Sequence, residues 1–143
     1  MAFNSLEEGA RKSMQDLMND FNMKDVKSRF VILDREPIAD LIVRLEKQRS
    51  PDIVIIDSVQ YSFLTKSSYK NLINRFPGKL FIFSSHAKRK EPAGAIGQAI
   101  LFDADIKIRV EGFKAFSKSR VSRGTLPTPF VIWDEGAKNY WNE

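Results

Sequence analysis

The sequence predicts an α/β fold, a mainly parallel sheet covered by helices with antiparallel strands in the last third of the chain. Two runs, Ile53-Val54-Ile55-Ile56 and Leu80-Phe81-Ile82-Phe83, are apolar at every position. A strand that is apolar on both sides is suited to burial on both faces, as in the centre of a parallel sheet. Segments with apolar residues at helical spacing precede and separate these runs, which is the alternation of an α/β chain. Beyond them the pattern changes. Ile106-Lys107-Ile108-Arg109-Val110 alternates apolar with charged residues, as a half-exposed strand does.

Ala2-Phe3-Asn4 reads as the first strand. Ser5 and Glu8 have the spacing of a capping box, and Ala10, Met14, Leu17, Met18 and Phe21 continue at helical period. Val31-Ile32-Leu33 is a short strand, and Pro37 suits the first position of the next helix. That helix has Ile38, Leu41, Ile42 and Leu45 as its buried stripe. The Ile53 run ends in Asp57. Tyr69, Leu72, Ile73 and Phe76 mark a further helix, stopped by Pro77-Gly78. The Leu80 run, a second strand expected to be buried, ends in Ser84-Ser85-His86. A basic loop, Lys88-Arg89-Lys90, then leads to a helix over Ala95 to Phe102. Glu111-Gly112 predicts a tight turn into a strand over Phe113 to Lys118. Residues 120–128 read as a polar loop. Phe130 to Trp133 and Lys138 to Trp141, separated by Asp134-Glu135-Gly136, predict a terminal hairpin. With no repeat or long linker, residues 1–143 read as a single domain.

A chain of 143 residues is long enough for one domain with its own core. Its 43% hydrophobic and 29% charged content is that of a globular protein. No apolar run approaches the roughly 20 residues of a membrane span, and no charged-then-apolar leader opens the chain. Cysteine is absent, which excludes disulfides and thiolate metal sites, and a single histidine argues against zinc. Together these features predict a cytoplasmic protein without a membrane partner. The net charge, 23 − 18 = +5, permits an anionic partner such as DNA or ATP, and fits a solvated lysine-rich surface equally well.

Asp57 is the strongest single signal, an acid at the end of a buried strand within PDIVIIDSVQ, residues 51–60. Ligands of open α/β sheets bind beyond the carboxyl ends of strands. A carboxylate there can hold the water shell of a magnesium ion, although a strand followed by a capping acid has the same appearance. Glu7, in FNSLEEG (3–9), is by itself a favourable acid for a first helical turn. His86, in FIFSSHAK (81–88), is by itself a surface histidine after a strand.

In order along the chain, these segments resemble the core of RecA/DnaB/RadA-type P-loop ATPases, the RecA-like superfamily. The resemblance runs from Phe3 to Arg123. FNSLEEG is similar to that family's strand-and-acid segment, which implies that Glu7 polarises the water attacking the γ-phosphate, while Glu8 is explained by its capping-box spacing from Ser5. PDIVIIDSVQ resembles its Walker B strand, including the Ser-x-Gln that follows, and implies that Asp57 binds magnesium through water. FIFSSHAK resembles the next core strand, with Ser85 and His86 at its polar tip and His86 in the place of a γ-phosphate sensor. GAIGQAILFDADI (94–106) resembles the segment that ends in Asp-Ala-Asp, giving Asp103 and Asp105 a structural role. Lys88, Arg89 and Lys90 fall on a loop that faces DNA in the family, where cations contact phosphates. Ser117-Lys118-Ser119-Arg120 resembles the Lys-x-Arg pair that reaches a neighbouring subunit's γ-phosphate, which makes Lys118 and Arg120 the expected arginine-finger pair.

The resemblance implies a three-layer RecA-like core and an ATP-driven role in DNA unwinding, recombination or repair. Its implied cofactors are ATP and magnesium, and its implied partners are single-stranded DNA and further copies of the chain with sites at their interfaces. One departure bears on activity. The sequence has no Gly-x-x-x-x-Gly-Lys-Ser/Thr, the loop that wraps the phosphates in that family. The expectation is therefore an N-terminally incomplete core, inactive by itself and holding no cofactor. The alternative is a non-catalytic RecA-like remnant that binds DNA or a partner ATPase. A receiver-like or flavodoxin-like domain fits less well, for want of a matching acidic pocket or flavin loop.

Overall fold

The structure, a computed structural model, describes residues 1–120 and 125–142. Positions 121–124 of the predicted polar loop lie outside the described residues. The chain, read from sequence as one domain, divides into two compact units, Met1–Gln98 and Ala99–Glu143.

The first unit is built on four parallel strands, β1 (Ala2–Ser5), β2 (Val31–Asp34), β3 (Ile53–Asp57) and β4 (Leu80–Phe83), in the order β2-β1-β3-β4. The helices α1 (Lys12–Asp20), α2 (Ile38–Glu46) and α3 (Lys66–Arg75) lie between them in sequence. Register pairs Ala2 with Val54 and Asn4 with Ile56, so these four side chains share one face, extended by Phe81 and Phe83 on β4. Leu41 and Leu45 of α2 and Leu72 of α3 belong to the core on that face, where Ala2, Leu41, Val54, Ile56 and Leu72 have no exposed surface. Burial of each large aliphatic side chain contributes about 1.5–3 kcal/mol, so this layer is the main source of the unit's stability. The stripe predicted for α2 is the one observed, with Pro37 one residue ahead of the helix. α3 opens on a reciprocal cap between Thr65 and Ser68, which satisfies backbone donors that a helix start leaves unpaired.

The opposite face carries Phe3, Ile32, Ile55 and Ile82, by the same registers. On its β1 side, Met14, Leu17 and Met18 of α1 line a cavity of about 180 Å³ together with Phe3 and Phe30. On its β4 side, Leu80 and Ile82 remain 55% and 44% exposed. This corrects the expectation that β4 is buried on both faces. Its apolar run sits on an edge strand, and only Phe81 and Phe83 turn toward the core.

A second correction concerns the first helix. Ser5 and Glu8 form no capping box, because Ser5 stays extended and paired between Asp34 and Asp57. The Ser5 hydroxyl accepts from the Gly9 N–H at 3.0 Å, and its carbonyl accepts from Gly9 and Arg35. The Glu8 carboxylate instead accepts from the Ser13 hydroxyl at 2.8 Å, and the helix begins at Lys12.

Beyond β4, the predicted basic loop is a small antiparallel hairpin of β5 (Ala87–Lys88) and β6 (Glu91–Pro92). It leads into α4 (Gly94–Asp103), within which the division between the units falls.

The second unit holds a three-stranded antiparallel sheet, β7 (Ile106–Glu111), β8 (Lys114–Ser119) and β9 (Phe130–Val131), followed by α5 (Asp134–Trp141). The β7–β8 turn is Gly112-Phe113, with φ of 53° and 60°, the left-handed pair that a two-residue hairpin requires. β7 alternates as predicted, but Ile106, Ile108 and Val110 are its exposed residues. On the other face the Arg109 guanidinium lies 4.1 Å from the centre of the Phe116 ring, and Phe116 packs against Trp141. The predicted terminal hairpin is corrected to strand plus helix. Asp134 and Glu135 occupy the first turn of α5, where acids complement the positive end of the helix dipole, and Lys138 pairs with Asp134 at 2.6 Å one turn on. Helical spacing also buries Ala137 and carries Trp141 to the sheet, where its indole N–H donates to the Gly112 carbonyl at 3.0 Å. Among the described residues no helix is long and apolar enough to cross a membrane.

Candidate functional site

Strand order locates the site. The chain leaves β1 toward β2 on one side, and leaves β3 toward β4 on the other. Loops that depart in opposite directions leave a crevice at the carboxyl ends of the strands between them, the usual ligand position in such sheets. Glu7 follows β1, Asp57 ends β3, and Ser84 to His86 follow β4.

Their side chains form two sets of contacts there. Glu7 Oε2 lies 2.8 Å from His86 Nε2 and accepts from the Ser58 hydroxyl at 3.2 Å. Glu7 and His86 are 79 residues apart, and their side chains are 41% and 49% exposed. The Asp57 carboxylate accepts from the Ser84 hydroxyl, joining the tips of β3 and β4. The Asp57 carbonyl accepts from Leu6 N–H at 2.6 Å and Glu7 N–H at 3.3 Å, which continues the β1–β3 contact past the strands and fixes the backbone under Glu7. The Asp57–Ser58 peptide is cis.

Two further groups hold the loops. Arg35, at the end of β2, donates from Nη2 to the Glu8 carbonyl at 2.6 Å. Gly9 adopts φ +68°, and a Cβ there would collide with the Asp34 carboxylate and the Arg35 guanidinium. Gln60 is hydrogen-bonded to Ser85, His86 and Ala93 at the base of the β5–β6 hairpin. The Tyr61 ring meets His86 edge-on at 6.0 Å.

The hydrogen bond from His86 holds the Glu7 carboxyl below the usual carboxylate range, aided by Ser58 and by the charge of His86 and opposed by partial desolvation. Glu7 is therefore ionised at neutral pH, an acceptor able to orient a water or a cation. Among the described residues, no three His, Cys, Asp or Glu side chains cluster closely enough to cage a metal ion. Glu7 with the Ser58 hydroxyl and Asp57 with the Ser84 hydroxyl each present a carboxylate oxygen, the donor type that a hard, hydrated cation takes.

The remaining residues singled out from sequence are placed as follows. The Ser85 hydroxyl accepts from Gln60 at 2.8 Å and donates to the His86 carbonyl, so Ser84 rather than Ser85 meets Asp57. Lys88, Arg89 and Lys90 are exposed on the hairpin of the same unit. Lys118 and Arg120 belong to the second unit. Lys118 is exposed on β8 opposite Lys107, while the Arg120 guanidinium donates to the Phe102 carbonyl in the last turn of α4 and its backbone N–H to the Asp105 carbonyl at 2.9 Å. Sequence reasoning passed over Ser84 and Arg35 and, although it noted the Ser-x-Gln, gave Ser58 and Gln60 no role of their own. The available signal was position, since each lies within three residues of a strand's carboxyl end.

The chain matches no protein-family model, and no curated protein matches it.

Proposed function

We propose that this chain is the part of a RecA/DnaB-type ATPase core that handles the nucleotide's terminal phosphate, serving a DNA-processing enzyme of the helicase or recombination and repair class. The observation that carries the proposal is the Glu7–His86 contact, which joins the ends of β1 and β4, at the same carboxyl end of the sheet as the Asp57–Ser84 contact of β3 and β4. Glu7, ionised and fixed by His86 and Ser58, would orient an attacking water. Asp57, steadied by Ser84, would hold magnesium through a water. His86, joined to Glu7, would register whether a terminal phosphate is in place. Magnesium-bound ATP supplies the phosphoryl group and the charge these side chains would act upon. Lys118 and Arg120 would act on an adjacent copy, and Lys88, Arg89 and Lys90 would contact single-stranded DNA.

Without a Gly-x-x-x-x-Gly-Lys-Ser/Thr in these residues, nucleotide affinity should be weak. Mapping NMR shifts during titration with a magnesium-bound, non-hydrolysable ATP analogue tests the proposal. Perturbation should concentrate on Glu7, Asp57 to Gln60 and Ser84 to His86, and should fade in Glu7→Gln and Asp57→Asn. Shifts scattered elsewhere, or none at millimolar analogue, would remove the nucleotide reading. The missing loop and the exposed basic hairpin favour a second reading, a non-catalytic remnant that binds DNA or a partner ATPase. It requires salt-sensitive DNA binding with no response to nucleotide.

A further inference from the structure

Gln60 stands one turn beyond β3, half-buried, and its amide joins three separate backbone segments. Nε2 donates to the Ser85 hydroxyl at 2.8 Å and to the Ala93 carbonyl at 2.9 Å, and Oε1 accepts from the His86 N–H at 3.1 Å. The orientation of the amide follows from its partners. A backbone N–H can only donate and a carbonyl can only accept, so oxygen faces His86 and nitrogen faces Ala93.

His86 and Ala93 are the two ends of the β5–β6 hairpin, and the Ala93 N–H donates to the His86 carbonyl at 2.7 Å. Gln60 therefore clamps the hairpin at its base, at the residue whose ring reaches Glu7. The packing is close around this joint. Gly97 of α4 is buried against it, and a Cβ there would sit 3.0 Å from Pro92 and 3.1 Å from the Ser85 hydroxyl. The Gln98 side chain holds the Pro92 carbonyl at 2.9 Å.

We propose that Gln60 is a positioning residue that sets the His86 ring against Glu7 by locking the His86 backbone to the base of the basic hairpin. The inference rests on Glu7 and His86 being the working pair of the site. It makes the pair and the hairpin one mechanical unit, so a displacement of Lys88, Arg89 or Lys90 is felt at His86. The groups around the pair from neighbouring elements are the Ser58 hydroxyl, the Tyr61 ring, the Asp57 carbonyl under the Glu7 N–H, and Arg35 on the Glu8 carbonyl.

The test needs no nucleotide. NMR contacts of the His86 ring to the Glu7 side chain and the Tyr61 ring are measured in the wild-type chain, in Gln60→Leu and in Gln60→Glu, alongside hydrogen exchange of the Ala93 amide and far-UV circular dichroism. In Gln60→Leu, which loses all three bonds, both ring contacts should weaken or vanish and the Ala93 amide should exchange faster. Gln60→Glu keeps an acceptor for His86 and loses both donors, so it should keep part of the ring contacts while the Ala93 amide still exchanges faster. A folded Gln60→Leu with wild-type ring contacts overturns the proposal. If that variant does not fold, wild-type ring contacts together with wild-type Ala93 protection in Gln60→Glu overturn it instead. Altered coupling in the variants, with no response of the wild-type chain to nucleotide, keeps the positioning role and discards the nucleotide reading.

Discussion

Asn4 is the most informative place to disturb the sheet beneath the site. It lies in β1, three residues before Glu7, and its side chain has no exposed surface. Its amide copies a strand pairing, donating to the Glu36 carbonyl at 2.8 Å and accepting from the Glu36 N–H at 3.0 Å. Glu36 in turn receives a two-pronged bond from Arg44, at 2.8 and 2.6 Å, which ties the start of α2 to its own last turn. Asn4→Leu keeps the number and branching of the side-chain heavy atoms, with bulkier methyl groups, and removes both bonds. Each is worth about 0.5–1.5 kcal/mol net, and a donor or acceptor stranded away from water costs about 1–3 kcal/mol more. Because Glu36 is half-buried, water can reach part of what is stranded, and the expected loss is about 2–4 kcal/mol. A unit of this size loses about 4–8 °C in melting temperature per kcal/mol, so the midpoint should fall by roughly 10 °C or more. Urea unfolding followed by far-UV circular dichroism measures the loss directly. A change below about 1 kcal/mol, with an unaltered denaturant slope, would show that the Glu36 bonds do not anchor β1.

Four further outcomes are expected. Gly9→Ala should cost about 1–3 kcal/mol in the same assay, since alanine at φ +68° is strained and its methyl meets Asp34 and Arg35; a neutral result refutes the close approach. Phe63→Asn should stabilise by about 0.5–1 kcal/mol, because Phe63 is 94% exposed at φ 54° and asparagine tolerates that region better; lost stability would mean that the ring packs in solution. Glu7 titrates below its ordinary value of 4.5 when folded, so its stabilising contribution is present above that pH and is lost as pH falls through the lower folded value. The stability gap between wild type and Glu7→Gln should therefore close on acidification, and a gap that widens contradicts the His86 bond. Alanine at Lys88, Arg89 and Lys90 together should weaken single-stranded DNA binding and flatten its salt dependence by about 0.7 per lost phosphate contact, read by fluorescence anisotropy at several salt concentrations; an unchanged slope removes the hairpin from the interface.

The sheet and its main helices were legible because their signals are local. Leu41, Leu45 and Leu72 recur at helical period, and Val54 and Ile56 lie in an unbroken apolar run. The misreadings came where local pattern and tertiary placement compete. Ser5 and Glu8 have the spacing of a cap, but pairing on both sides of Ser5 outweighs a helix start. Phe130 to Trp141 looks like two strands around a Gly turn, yet Gly136 is buried close to Trp133, and Ala137 and Trp141 lie one helical turn apart. Edge position is likewise invisible in a run such as Leu80 to Phe83, because hydrophobicity says what prefers burial and not what is available to cover it. Glu7, Asp57 and His86 stood out by residue type and by the segments around them, whereas Gln60 and Ser84 act through geometry that only the strand order creates.

Left-handed backbone occurs at both ends of the parallel strands, with Asn22, Lys27 and Arg49 ahead of β2 and β3 and three further residues beyond strand ends. Arg35, Phe63 and Arg89, with φ of 52°, 54° and 60°, fall in the loop after β2, the loop after β3 and the hairpin after β4. A left-handed non-glycine residue costs about 1–2 kcal/mol, so the three loops together carry strain comparable to a fair share of a domain's net stability. The layer of α2 and α3 on the sheet offsets it, since it buries Leu41, Leu45, Val54, Ile56 and Leu72 away from these loops. Arg35 reaches the Glu8 carbonyl from one of them, and Arg89 heads the hairpin whose base holds His86. The amino-terminal and central parts of the parallel strands thus act as scaffold, and their carboxyl ends hold the groups that scaffold keeps in place.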